Sequence, residues 1–162
     1  MENISITLPQ KLSEKLRGKA EENDSLPEEL AVETLFKGLG EELDPEELVE
    51  HYQALSDKYF AEAKQFISKR DFVQTSEKLW GASALAIKMV AAKTGLKLKK
   101  HGSLWSFISK LSLESGDEDI VRFFNTANAL HRNFYENEMD QRAIEISARD
   151  IEKLIAKLKG IS

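Results

Sequence analysis

A chain of 162 residues, 41% apolar and 31% charged, has the composition of a soluble globular protein and the length for one ordinary domain plus a small appendage. The absence of cysteine excludes disulfides and thiolate metal sites, and no apolar run reaches the ~20 residues of a membrane span or has the form of a signal segment. A cytoplasmic protein with no membrane partner is therefore expected. The net charge of −5 is spread over both parts of the chain, −3 in residues 1–40 and −2 beyond. Phosphate-binding surfaces are usually basic over a whole domain, so any nucleic-acid contact must use a local patch.

Taken in order, residues 3–8 alternate Ile4, Ile6 and Leu8 with Asn3, Ser5 and Thr7, the period of a half-buried strand. No second strand follows, so its pairing partner is expected in another chain, or else the segment remains an extended arm. Pro9 opens a helix to about Glu22 with Leu12, Leu16 and Ala20 on one face. Ser25 and Glu28 have capping-box spacing around Pro27 and predict a second helix to about Lys37, with Leu30, Thr34 and Leu35 inward and Gly38 and Gly40 ending it.

Asp44-Pro45-Glu46-Glu47 combines a capping Asp, an early Pro and acids at the positive end of the helix dipole. The helix it starts runs to about Lys69 through Leu48, Tyr52, Leu55, Tyr59, Ala63 and Phe66. Asp71 caps the next, which runs to Thr94 with Gly95 as its stop. Its small residues, Ser76, Gly81, Ala82, Ser83, Ala84 and Ala86, let neighbouring helices approach closely and make it the expected centre of a bundle. Residues 96–102 form a basic connector with Lys97, Lys99, Lys100 and His101, and a helix from about Ser103 to Glu114 presents Leu104, Trp105, Ile108 and Leu111. Residues 117–136 carry a seam of Ile120, Phe123, Ala127, Leu130 and Phe134, bordered by Val121, Phe124, Asn128, His131 and Tyr135. A last amphipathic segment, residues 143–158, uses Ile144, Ile151, Leu154, Ile155 and Leu158, with Ser147 and Asp150 spaced to restart the helix midway.

His51, His101 and His131 fall on separate elements without metal-ligand spacing, and neither a phosphate loop nor a nucleophile elbow occurs. No metal and no cofactor are expected. The lysine connector is the strongest local excess of positive charge, and the last turn of the 117–136 helix gathers His131, Arg132, Asn133, Tyr135 and Glu136. These two places supply the candidate ligand groups.

Residues 3–38, as strand, helix, turn and capped helix, resemble a ribbon-helix-helix unit. The resemblance implies that two chains pair their strands and that Asn3, Ser5 and Thr7 face DNA. That strand has no Arg or Lys, so residues 1–40 are read as a dimerisation arm and DNA is not the expected partner.

The run from Ala129 to Glu136, with Leu79-Trp80-Gly81-Ala82 and the His101-to-Trp105 helix start, resembles the archaeal repeat-associated PaREP family, placed within the HEPN superfamily of helical nucleotide- and RNA-associated domains. The resemblance covers about residues 45–160. It implies an all-α, up-and-down bundle of four to five helices over residues 44–160, dimerising through the helices that carry the site. Active HEPN ribonucleases place a His four to six residues after an Arg-polar pair. Arg132-Asn133 matches the pair, but Asn137, Glu138 and Met139 occupy the positions of the His.

If any catalysis existed, it would be metal-independent RNA cleavage with His131 and Arg132 as its residues. The expected function is instead non-catalytic or weakly active association with nucleotide or RNA, in a toxin–antitoxin or defence setting. The ligand contacts would be Lys97, Lys99, Lys100, His101, Asn133, Tyr135 and Glu136. The competing expectations are a homodimeric structural or regulatory module for a partner protein, and DNA binding through the arm.

Overall fold

A computed structural model describes residues 3–98 and 101–161, without the side chains of residues 101 and 102. Seven helices occur among the described residues: α1 Gln10–Glu22, α2 Pro27–Gly38, α3 Pro45–Ser68, α4 Phe72–Lys93, α5 His101–Ser115, α6 Asp119–Glu136 and α7 Gln141–Lys159. None is long and apolar enough to cross a membrane. The chain divides into two compact units, one holding α1 and α2 up to Leu43, the other beginning at Asp44 and holding α3, α4, α6, α7 and α5 from Gly102 onward.

In the first unit the expected strand is not formed. Residues 3–8 carry no strand, and no strand occurs among the described residues. Extended backbone becomes a strand only when a neighbour accepts its ladder of hydrogen bonds, and within one chain none is offered. Ile4 and Ile6 stand 88% and 62% exposed. Helix α2 also starts differently from expectation. Pro27 is its first residue, Leu26 is the N-cap, and the Glu29 carboxylate accepts from the Leu26 N–H at 3.2 Å. This is half a capping box, since a leucine side chain has no acceptor, and Ser25 and Glu28 take no part in it. Leu12, Thr34 and Leu35 face solvent rather than inward. Two short helices enclose too little volume to cover every apolar side chain they carry, and burial falls on Ala20, Leu26 and Glu29.

The second unit is a bundle around α4, whose sixteen buried residues include Leu79, Trp80, Leu85, Ile87 and Val90. The caps follow the sequence. Asp44 accepts from Glu47 N at 2.9 Å and Asp71 from Gln74 N at 3.1 Å, while Gly95, at φ 79°, lets Leu96 N donate to Ala91 O at 3.0 Å and close α4. Helix α3 runs antiparallel to α4: Ser56 Oγ donates to Ala82 O at 2.7 Å at mid-helix, and Lys78 packs over the Tyr59 ring a turn further along. Helices α6 and α7 form a second antiparallel pair, joined by Thr126–Asp150 at 3.1 Å and Lys157–Asp117 at 2.7 Å. Against α4, α7 is parallel, with Lys93 Nζ donating to Ile161 O at 2.8 Å.

Three expectations in this unit are corrected. The buried stripe of α6 is Ile120, Phe124, Ala127, Leu130 and Asn133, so Phe124 replaces Phe123, and Asn133 lies inside where Phe134 was expected. The helix is rotated because Phe124 meets Trp105 edge-on at 4.5 Å and Trp80 at 6.1 Å. Helix α7 is continuous and starts two residues earlier, since Asp140, not Ser147, caps it by accepting from Ala143 N at 2.8 Å. In α5 the inward aromatic is Phe107, and Trp105 is half-buried.

Asp117 fixes the start of α6 twice. Its carboxylate accepts from Asp119 N at 3.0 Å and from Lys157 Nζ at 2.7 Å. The lysine hydrogen bond is the main cause that holds the Asp117 carboxyl below the usual carboxylate range, and the same bond raises the pKa of Lys157. A depressed carboxylate stabilises the fold above its unfolded-state pKa of ~4 and loses that contribution as pH falls through the lower native value. Asp117→Asn keeps the cap acceptor and removes the charge. Its melting temperature should therefore lie below that of the parent by a constant gap between about pH 6 and 8, and the gap should close below about pH 4. A gap unchanged at the lowest pH would show that the ion pair does not carry the effect.

Candidate functional site at the end of helix α6

The last two turns of α6 lie against the first two turns of α4, and their side chains divide into a buried tie and an exposed surface. Asn133, 2% exposed, makes the tie. Its Nδ2 donates to Ser76 Oγ at 2.9 Å, and the Ser76 hydroxyl donates onward to Phe72 O at 2.7 Å. Its Oδ1 accepts from Glu138 N at 2.7 Å and Met139 N at 2.8 Å, the two amides that lead out of α6 toward α7. Asn137 ends the helix in the left-handed region at φ 49°, and its N–H donates to Asn133 O at 2.8 Å. An Asn tolerates that conformation better than most residues.

His131 lies two residues earlier and is only partly buried. Its ring stacks on Trp80 with centroids 4.6 Å apart and meets the edge of Tyr135 at 5.7 Å. Nδ1 faces Glu77 Oε2 at 3.8 Å, and the His131 side chain remains 33% exposed. Tyr135, 62% exposed, also packs edge-on against Phe134 at 5.0 Å. Arg132, with a side chain 71% exposed, approaches Glu138 at 3.6 Å, and Glu136 is exposed. The arrangement offers an aromatic face, a half-open imidazole and a solvated guanidinium. No group of three His, Asp or Glu able to hold a metal occurs among the described residues.

Of the sequence candidates, the structure brings together His131, Arg132, Asn133, Tyr135 and Glu136. It commits Asn133 to structure, because all of its polar atoms are used inside the fold. Lys97 is exposed beyond the far end of α4. Seventeen residues separate Ser76 from Lys93 on that helix, roughly 25 Å at ~1.5 Å per residue, so Lys97 and the His131 surface do not share a site. Lys99, Lys100 and the His101 side chain lie outside the described residues. Glu77 and Ser76 escaped the sequence reading of the site. Their signal was present only as polar residues on the inward side of α4, at helical spacing from Trp80.

The model of one family, described as the archaeal PaREP1/PaREP8 family, matches residues 51–155. The chain belongs to that family. The matched span begins in α3 and ends in α7, so it takes in the whole His131 surface and leaves α1 and α2 outside. A crystal structure of a protein from Sulfolobus solfataricus is similar to the chain, with a TM-score of 0.59 and 25% sequence identity over 65% of this chain and 93% of that one. No curated protein matches it.

Within this PaREP bundle the two roles at the helix end separate by mutation. Asn133→Ala removes three buried or half-buried hydrogen bonds and should lower stability by about 3 kcal/mol. His131→Ala removes the stack on Trp80 and the edge contact with Tyr135 and should cost about 1 kcal/mol. Chemical denaturation of the two variants checks the order, and an Asn133→Ala variant as stable as the parent would contradict the tie.

Proposed function

We propose that this PaREP chain is a non-catalytic, nucleotide- or RNA-associating protein of HEPN-like architecture, with the exposed end of α6 as its binding surface. The observation that carries this reading is the combination of Tyr135 and Arg132, 62% exposed and 71% exposed at the side chain, beside an imidazole already braced on Trp80. Exposed aromatic rings stack on unpaired bases, and a guanidinium grips phosphate through two parallel hydrogen bonds. The imidazole supports binding better than proton transfer. It is packed between two rings, and the polar residue after Arg132 is spent on the fold. A net charge of −5 and the neighbouring Glu77, Glu136 and Glu138 select against duplex nucleic acid and favour a short, single-stranded or mononucleotide ligand held at low salt.

A second reading concerns the first unit. Ile4 and Ile6 are exposed on a segment of strand-like sequence period whose backbone has no ladder partner within the described residues, which favours pairing with the same segment of a second copy and a homodimer.

Fluorescence anisotropy of a labelled single-stranded RNA oligonucleotide, with ATP as competitor, tests the first reading. The double variant Arg132→Ala with Tyr135→Ala should bind at least roughly tenfold more weakly, since a stacked base and a phosphate contact are each worth about 1–3 kcal/mol, with an unchanged melting temperature. Equal binding by parent and variant, or none by the parent, would leave the helix end a structural surface only. Deleting residues 1–8 should convert a dimer to a monomer in sedimentation, and a parent already monomeric would contradict the second reading.

A further inference from the structure

Helix α1 carries a concentration of positive charge that the α6 surface does not use. Four of the five Lys and Arg in residues 1–40 fall between Lys11 and Lys19, a stretch whose only acid is Glu14. Packing decides which way they point. Ala20 is buried and Ser13 and Leu16 are half-buried, so theirs is the covered side of the helix. At ~3.6 residues per turn, Lys11, Lys15 and Lys19 form one row well away from that side, and all three are exposed. Gly18 borders the row, and a Cβ added there would meet nothing within 4 Å.

The row also keeps its charge. Glu14 and Glu22 stand three residues from Lys11 and Lys19, a spacing that allows pairing. Yet none of the three lysines enters an ion pair among the described residues, and the Glu14 carboxylate accepts from Gln10 at 3.4 Å instead. Successive lysines are four residues apart, ~6 Å along the axis at ~1.5 Å per residue. That repeat matches the phosphates of an extended sugar–phosphate backbone. Other partners fit the helix less well. A protein interface has an apolar centre and a helix lying on a membrane a broad apolar face, whereas Leu12 is the one exposed large apolar side chain of α1.

We propose that the row of Lys11, Lys15 and Lys19 binds the sugar–phosphate backbone of single-stranded RNA. The inference rests on the reading of this chain as RNA-associating and adds a surface on the first unit, distinct from the end of α6. Contacts to phosphate alone carry no base information, so the row holds a strand without reading its sequence. Three cations in one line, on a segment of net charge −3, serve one backbone rather than a duplex, which needs a wider basic surface.

The test is fluorescence anisotropy of the full chain with a labelled single-stranded RNA of mixed sequence over a range of salt. Each phosphate contact on a single strand adds ~0.7 to the slope of log affinity against log salt, so the triple variant Lys11→Gln, Lys15→Gln and Lys19→Gln should give a slope shallower by about 2. Its melting temperature should not change, because the three side chains are exposed. The corresponding triple arginine variant keeps the charges and should keep the parental slope. A glutamine variant with the parental slope would overturn the inference, and the α6 reading would still stand if Arg132→Ala with Tyr135→Ala weakened binding. Polyglutamate of matched charge that competes as well as unlabelled RNA would mark a surface for acidic protein and overturn it too. A parent that binds no RNA would overturn both readings.

Discussion

The buried amide of Asn133 joins three elements at one point: Ser76 on α4, the end of α6 and the two amides that lead toward α7. A buried amide left without partners costs far more than a satisfied one contributes, so the three must hold their relative positions together or not at all. This constraint fixes the last turn of α6 against the start of α4. Phe124, half a turn around the helix from Asn133, is held in the core by Trp80 and Trp105, while His131 stacks on Trp80 and Arg132 and Tyr135 reach solvent. The same residue follows Arg132 directly, so its employment in the fold ties the helix end to α4.

Much of the bundle was legible because its signals are local. Asp44 and Asp71 cap the helices they were expected to cap, Gly95 ends α4 in the left-handed region, and the density of small residues in α4 marks it as the central helix. The misplaced details depend on partners distant in sequence. The 3–8 segment has strand periodicity, yet a ladder needs a second backbone. Phe123 and Phe124 fit the α6 seam almost equally well by spacing, and contacts from Trp80 and Trp105 decide between them. Periodicity alone also favoured Phe134 over Asn133, since nothing local shows that Ser76 waits on another helix to satisfy a buried amide.

The candidate site divides along the same line. The cluster from His131 to Glu136 is contiguous in the chain and remains a cluster in the fold. The idea that the lysine connector completes it required two stretches more than thirty residues apart to converge, and the antiparallel course of α4 and α6 sends Lys97 to the opposite end of the bundle. What remains at the α6 end is a surface of His131, Tyr135 and Arg132 with Glu77 and Glu138 beside them.

The proposal that this surface binds without cleaving is tested most directly by incubating the purified protein with end-labelled single-stranded RNA in excess chelator and resolving the RNA by length after binding has been verified. The account predicts intact RNA at full occupancy over a range of pH. Metal-independent cleavage by the parent protein that disappears in a stably folded His131→Ala variant would contradict it.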